Sequence, residues 1–68
     1  MLINAAVIGY GLSGRVFHAP FIHTHRGFRL HSIVTSGDEA ARRYPKTRIL
    51  RRFEDVLNDS QIDLVCIC

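Results

Sequence analysis

The segment Ala5-Ala6-Val7-Ile8-Gly9-Tyr10-Gly11-Leu12-Ser13-Gly14 is an apolar run that breaks directly into G-x-G-x-x-G. Few folds need that order of residues: a buried strand, a sharp turn and a helix start packed close against the strand. Gly9 permits the turn, Gly11 lets backbone approach a ligand without a Cβ in the way, and Gly14 permits close helix–strand contact. The free N–H groups of a first helical turn, with the helix dipole, favour an anion such as a pyrophosphate. Tyr10, Leu12 and Ser13 add backbone N–H groups or a hydroxyl, with apolar packing as the alternative role for Leu12. Glycines also mark ordinary turns, so the surrounding pattern decides.

That pattern alternates strand and helix along the whole chain. Ile3 to Ile8 reads as a strand covered on both faces. Leu12 to about Ala19 is expected to be helical, with Pro20 kinking or ending the helix and Phe21 to Gly27 forming the exit loop. Phe28 to Val34 is a second strand of imperfect alternation. Ser36-Gly37-Asp38-Glu39 matches a capping box, which starts a helix near Asp38, and Pro45 stops it. Thr47 to Leu50 is a short third strand. Phe53 to about Asn58 is a short helix with Phe53, Val56 and Leu57 on its apolar face. Ile62 to Cys68 is a last strand. The predicted fold class is α/β, a partial Rossmann, doubly wound parallel sheet of about four strands in order 3-2-1-4. Its ligand crevice lies between the first and last strands. This places a nucleotide-binding role on Gly9, Gly11 and Gly14.

Length and composition bound the rest. With 68 residues there is room for one small domain at most, and 47% hydrophobic residues suit a globular chain. No apolar run approaches the ~20 residues of a membrane span, and the N-terminus lacks the features of a secretory signal, so the expected location is cytoplasmic. Cys66 and Cys68 project from one face of a strand and are poorly placed to join each other. They read as buried reduced thiols rather than half of a metal site, since no further cysteine completes a thiolate set. The net charge of +3 is concentrated in Arg42, Arg43, Lys46, Arg48, Arg51 and Arg52. Such a cluster is a solvated face, a phosphate attractor or a nucleic-acid surface. Without interleaved aromatic residues or a helix-turn-helix, nucleic acid ranks behind a cofactor.

The residues after the second strand choose between NAD and NADP. An acidic side chain there accepts from a ribose 2′-OH, whereas a 2′-phosphate needs donors and positive charge. This chain has Val34-Thr35-Ser36-Gly37, with no carboxylate in the usual place. Thr35 and Ser36 are candidate ligands, Ser36 also as a helix N-cap. Asp38 reads as a helix first-turn acid. Arg42 and Arg43, one turn further on, can reach a 2′-phosphate or simply lie in solvent, and the balance leans slightly to NADP. His18 can be cast as a general base, but reads first as a helix residue making a structural contact. His23, His25 and His31 read as loop and strand residues.

The stretch Val7-Ile8-Gly9-Tyr10-Gly11-Leu12-Ser13-Gly14-Arg15-Val16-Phe17-His18-Ala19-Pro20 resembles the start of the Gfo/Idh/MocA oxidoreductases, relatives of glucose–fructose oxidoreductase and inositol dehydrogenase. Phe53-Glu54-Asp55-Val56-Leu57-Asn58-Asp59, leading to Ile62-Asp63-Leu64-Val65, is similar to that family's approach to its fourth strand. The likeness is to members acting on scyllo-inositol or related sugars. It implies an N-terminal NAD(P)-binding domain and hydride transfer at a secondary alcohol. It also implies a following α/β domain that holds the sugar and makes the oligomer contacts. The lysine of the family's E-K-P motif, the later histidine and the T-P-x-x-x-H segment have no counterpart in residues 1–68, so no catalytic residue carries over. Because the chain ends at Cys68 directly after a strand, it is expected to be the N-terminal part of such a domain, a truncated piece inactive by itself. A non-catalytic dinucleotide-binding module, a nonfunctional truncated gene product and, last, a basic nucleic-acid binder are the other readings.

Overall fold

The computed structural model describes residues 2–11 and 18–68. Its elements run β1 (Ile3–Ile8), α1 (Ala19–Thr24), β2 (Phe28–Val34), α2 (Glu39–Arg43), β3 (Arg48–Leu50), α3 (Phe53–Leu57) and β4 (Leu64–Ile67). The four strands form one parallel sheet in order β3-β2-β1-β4. Ala5, Ala6 and Val7 of β1 are all fully buried, as the unbroken apolar run requires of a central parallel strand covered on both faces.

Successive strand side chains point to opposite faces, and the core divides accordingly. On one face Ala5, Val7, Leu30 and Ile33 pack with Ala19 and Ile22 of α1 and Ala40 and Tyr44 of α2. On the other, Ala6 and Leu50 pack with Val56 of α3, joined by Val34 and Ile62. The imperfect alternation of β2 has a specific cause. Ala5 pairs with Leu30 but Ala6 pairs with Ser32, so His31 is an extra residue at a register shift. The shift brings Leu30 and Ile33, three apart, to the same face. Buried Ser32 is satisfied by the ring of His31, Nδ1 to Oγ 2.6 Å.

Three local expectations are corrected. Pro20 lies in the first turn of α1, where a proline's missing N–H costs nothing, and Phe21 to Thr24 are helical instead of loop. The capping box does not form: Asp38 is the N-cap of α2, and no side chain caps the helix. Of the apolar triplet on α3 only Val56 is buried, while Phe53 and Leu57 are 43% and 67% exposed. The part of the first expected helix at residues 12–17 lies outside the described residues.

At the amino ends of β1 and β4 the chain is cross-linked. The Asn4 backbone N–H donates to Asp63 Oδ2 at 2.9 Å, the Asp63 N–H donates to the Asn4 carbonyl at 2.8 Å, and Asn4 Nδ2 donates to the Gln61 carbonyl at 2.9 Å. These bonds extend the β1–β4 ladder, which pairs Ala5 with Leu64 through Ile8 with Ile67. β4 is an edge strand with Leu64, Val65 and Ile67 exposed.

Candidate functional site

Strand β1 is followed by β2 on one side and flanked by β4 on the other, so the chain's direction of travel across the sheet reverses between β1 and β4. In open α/β sheets the crevice at the carboxyl ends of such a pair is where ligands bind. Gly9 sits there. Its N–H donates to the Val34 carbonyl at 2.9 Å, and the Cys68 N–H donates to the Ile8 carbonyl at 3.0 Å, which ties the ends of β2, β1 and β4 together. Gly9 has φ +93°, a conformation open to glycine, and a Cβ placed on it would stand 3.4 Å from the Cys68 carbonyl oxygen. The first glycine is therefore fixed by the turn itself. Among the described residues, a Cβ on Gly11 would meet nothing within 4 Å. That open space beside the backbone is the approach a pyrophosphate needs, so the residues here fit a dinucleotide. Tyr10 packs against the core on the α1 side. Leu12, Ser13 and Gly14 lie outside the described residues.

The second part of the site is the loop after β2. Thr35 is held to the sheet edge by its N–H to the Leu50 carbonyl at 3.0 Å, and its Oγ1 accepts from the Gly37 N–H at 3.4 Å. Ser36 is exposed at the loop tip. It is not the N-cap, because that position falls two residues later, at Asp38, and α2 starts at Glu39. Arg42 is exposed in the last turn of α2. Sequence reasoning did not single out Arg51 for this loop. Arg51 Nη1 donates to the carbonyls of Thr35 (2.9 Å) and Gly37 (2.8 Å), and its Nη2 lies 3.3 Å from Asp38 Oδ1. One guanidinium thus braces the whole loop that follows β2. Its position 14 to 16 residues downstream left no local signal; only the strand order, which sets β3 beside β2, could have suggested it.

The other cationic side chains of the cluster are partly engaged as well. Arg48 pairs with Asp59 at 3.4 Å and Arg52 with Glu54 at 2.6 Å. The Arg52 guanidinium holds the Glu54 carboxyl below its ordinary range.

Cys66 is half-buried and Cys68 exposed, both as free thiols, which corrects the expectation that both are buried. Burial pushes the Cys68 thiol up, with the neighbouring Cys66 adding to the shift. His18, immediately before α1, is half-buried, and its ring nitrogen and the two sulfurs lie within 4.8 Å of one another. An open, polar-lined cavity of about 570 Å³ lies elsewhere, among Arg48, Asp55, Asp59 and Gln61 under α3, and includes neither Gly9 nor the Thr35–Asp38 loop.

A parallel sheet in this order, with a glycine turn at the reversal point, defines a dinucleotide-binding domain of Rossmann type. Comparison with known sequences carries this further. The family described as "Oxidoreductase family, NAD-binding Rossmann fold" (GFO_IDH_MocA) matches residues 3–68, and the chain belongs to that family. It is 35% identical over 66 residues to scyllo-inositol 2-dehydrogenase (NADP(+)) IolW of Bacillus subtilis, a match covering 96% of this chain and 18% of IolW. It is 33% identical over 67 residues to the uncharacterised oxidoreductase YdgJ of Escherichia coli, covering 96% of this chain and 19% of YdgJ. Among solved structures, a Bacteroides fragilis protein assigned as an oxidoreductase superposes with a TM-score of 0.91 at 41% identity, over 96% of this chain and 21% of the other. YvaA of Bacillus subtilis superposes with 0.92 at 33% identity, over 100% and 20%. The chain thus spans about a fifth of the length of the relatives it matches.

Proposed function

We propose that this chain is the part of an NAD(P)-dependent sugar or polyol oxidoreductase that binds the pyrophosphate and adenosine of the cofactor, with NADP preferred. The observation that carries the reading is the Gly9 turn at the reversal point, with clear space beside Gly11. In this reading Gly9, Tyr10, Gly11, Leu12, Ser13 and Gly14 surround the pyrophosphate, and Thr35, Ser36 and Arg42 face the adenosine ribose. The NADP preference rests on the loop after β2. It offers Ser36 and a bracing Arg51, while its one carboxylate, Asp38, is engaged by that arginine. The similarity to IolW, itself NADP-linked by name, supports the same choice.

The bound cofactor supplies hydride transfer; these residues only hold and orient it. Residues 1–68 contain neither the family's E-K-P lysine nor its later histidine, so the 68-residue chain binds without turning over. Oligomer contacts and the sugar pocket belong to the segments of the relatives that it does not span. Calorimetric titration with NADPH and NADH, alongside an assay with a panel of polyols, tests each part. Saturable binding, tighter for NADPH, with no cofactor reduction is the expected result. Sustained reduction above background overturns the inactivity claim, and no binding of either nucleotide overturns the reading itself.

A further inference from the structure

We propose that His18, Cys66 and Cys68 form a binding site for a thiophilic divalent cation of the zinc type, at the junction of α1 and β4. The inference is independent of the dinucleotide reading and rests on how the fold brings three donors together. Residues two apart on a strand share a face; Cys66 lies in β4 and Cys68 directly follows it, its N–H continuing the ladder to the Ile8 carbonyl at 3.0 Å, so the two project to the same side. That side is the one α1 covers: Cys66 packs against the core cluster holding Ala19 and Ile22. The residue immediately before Ala19 is His18. Three donors from two elements, separated by 48 residues in sequence, thereby converge with their ligand atoms no more than 4.8 Å apart.

The donor chemistry is specific. Two thiolates and one imidazole are a recognised set for zinc, with the fourth tetrahedral position left to water or another ligand. Metal–sulfur bonds of about 2.3 Å and metal–nitrogen bonds of about 2.0 Å put tetrahedral donors roughly 3.5–3.8 Å apart. Closing from 4.8 Å requires the donor atoms to draw together by about an ångström. Cys68 is exposed and the other two are half-buried, so a hydrated cation can reach the site and keep one open position. On binding, each thiol gives its proton to solvent and the metal replaces both. The oxidation state of every partner is unchanged. The sequence concealed this set because a C-x-C pair alone is incomplete, and nothing local marks His18 as its third member.

Cobalt(II) provides the test. Added to the reduced 68-residue chain, one equivalent should give a thiolate-to-cobalt charge-transfer band and the intense visible bands of tetrahedral coordination. Zinc should then displace it. Cys68→Ser should abolish the tetrahedral spectrum while leaving the circular dichroism of the chain unchanged. His18→Ala should keep a charge-transfer band but lower the affinity for cobalt at least tenfold. Because an unfolded C-x-C segment can also chelate, the titration is repeated in concentrated urea, where affinity should fall by a similar factor. The proposal is overturned if the reduced chain gives no charge-transfer band. It is equally overturned if cobalt binds as tightly in urea or in His18→Ala, since the folded convergence of the three donors would then play no part.

Discussion

Arg51 donates through Nη1 to the carbonyl oxygen of Thr35 at 2.9 Å, across the gap between the β3–α3 connection and the loop that follows β2. With its bonds to Gly37 and Asp38, this arginine supports the loop, and in the proposed NADP reading its charge, shared with Asp38, also faces the 2′-phosphate. Arg51→Ala should weaken NADPH binding about tenfold, or ~1.4 kcal/mol, and NADH binding by less. Parallel calorimetric titrations check this. An equal loss for both nucleotides would show that Arg51 acts through loop shape alone.

The two described glycines of the turn should separate stability from binding. Gly9→Ala forces a side chain into φ +93° and close to the Cys68 carbonyl, at a cost of about 1–2 kcal/mol. The urea midpoint should fall accordingly. Gly11→Ala meets nothing among the described residues, so its stability should stay within about 0.5 kcal/mol of the parent. Its Cβ would nonetheless occupy space left for phosphate, and NADPH affinity should drop.

Ile33→Ala opens a cavity at a fully buried position on β2 and should cost about 2–5 kcal/mol, enough to unfold most of so small a chain. Leu57→Ala, at a position 67% exposed on α3, should change the urea midpoint by no more than about 0.5 kcal/mol. A large effect at Leu57 would mean that α3 buries a face not seen here.

Glu54 is held ionised by Arg52. A carboxyl whose folded value is depressed adds stability above its unfolded value and loses it as pH falls through the folded one. Both groups are exposed to solvent, so the contribution is small and screened by salt. Arg52→Ala should raise the Glu54 titration, followed by NMR, toward the ordinary carboxylate range. No movement would mean the pair does not persist in solution.

Much of the fold could be read from the order of residue types. The apolar run of β1, the glycine break, and the positions of β2, α2 and Pro45 yielded the alternation, and with it the strand order. What could not be read depended on partners distant in sequence or on a choice between equivalent local structures. Pro20 suits either the end of one helix or the first turn of the next. Ser36 has the spacing of a cap, but α2 starts at Glu39 with Asp38 as its N-cap, whose carboxylate Arg51 engages. Cys66 and Cys68 were expected to be buried because apolar strands usually are. β4 lies at the sheet edge instead, and its exposure is set by neighbours, not composition. The glycine turn was legible in part: Gly9 and Gly11 directly follow β1, as the spacing predicts. Arg51 and the His18–Cys66–Cys68 grouping are products of tertiary folding alone.

The Asn4 cross-link lies at the opposite end of the sheet from the glycine turn, yet it governs what that turn faces. A slip of β4 by one residue would exchange its two faces, putting Val65 and Ile67 where Cys66 and Cys68 now stand. Asn4, Asp63 and Gln61 therefore act as an index mark: they set the phase of the edge strand, and so decide that sulfur, rather than branched hydrocarbon, lines the side toward α1.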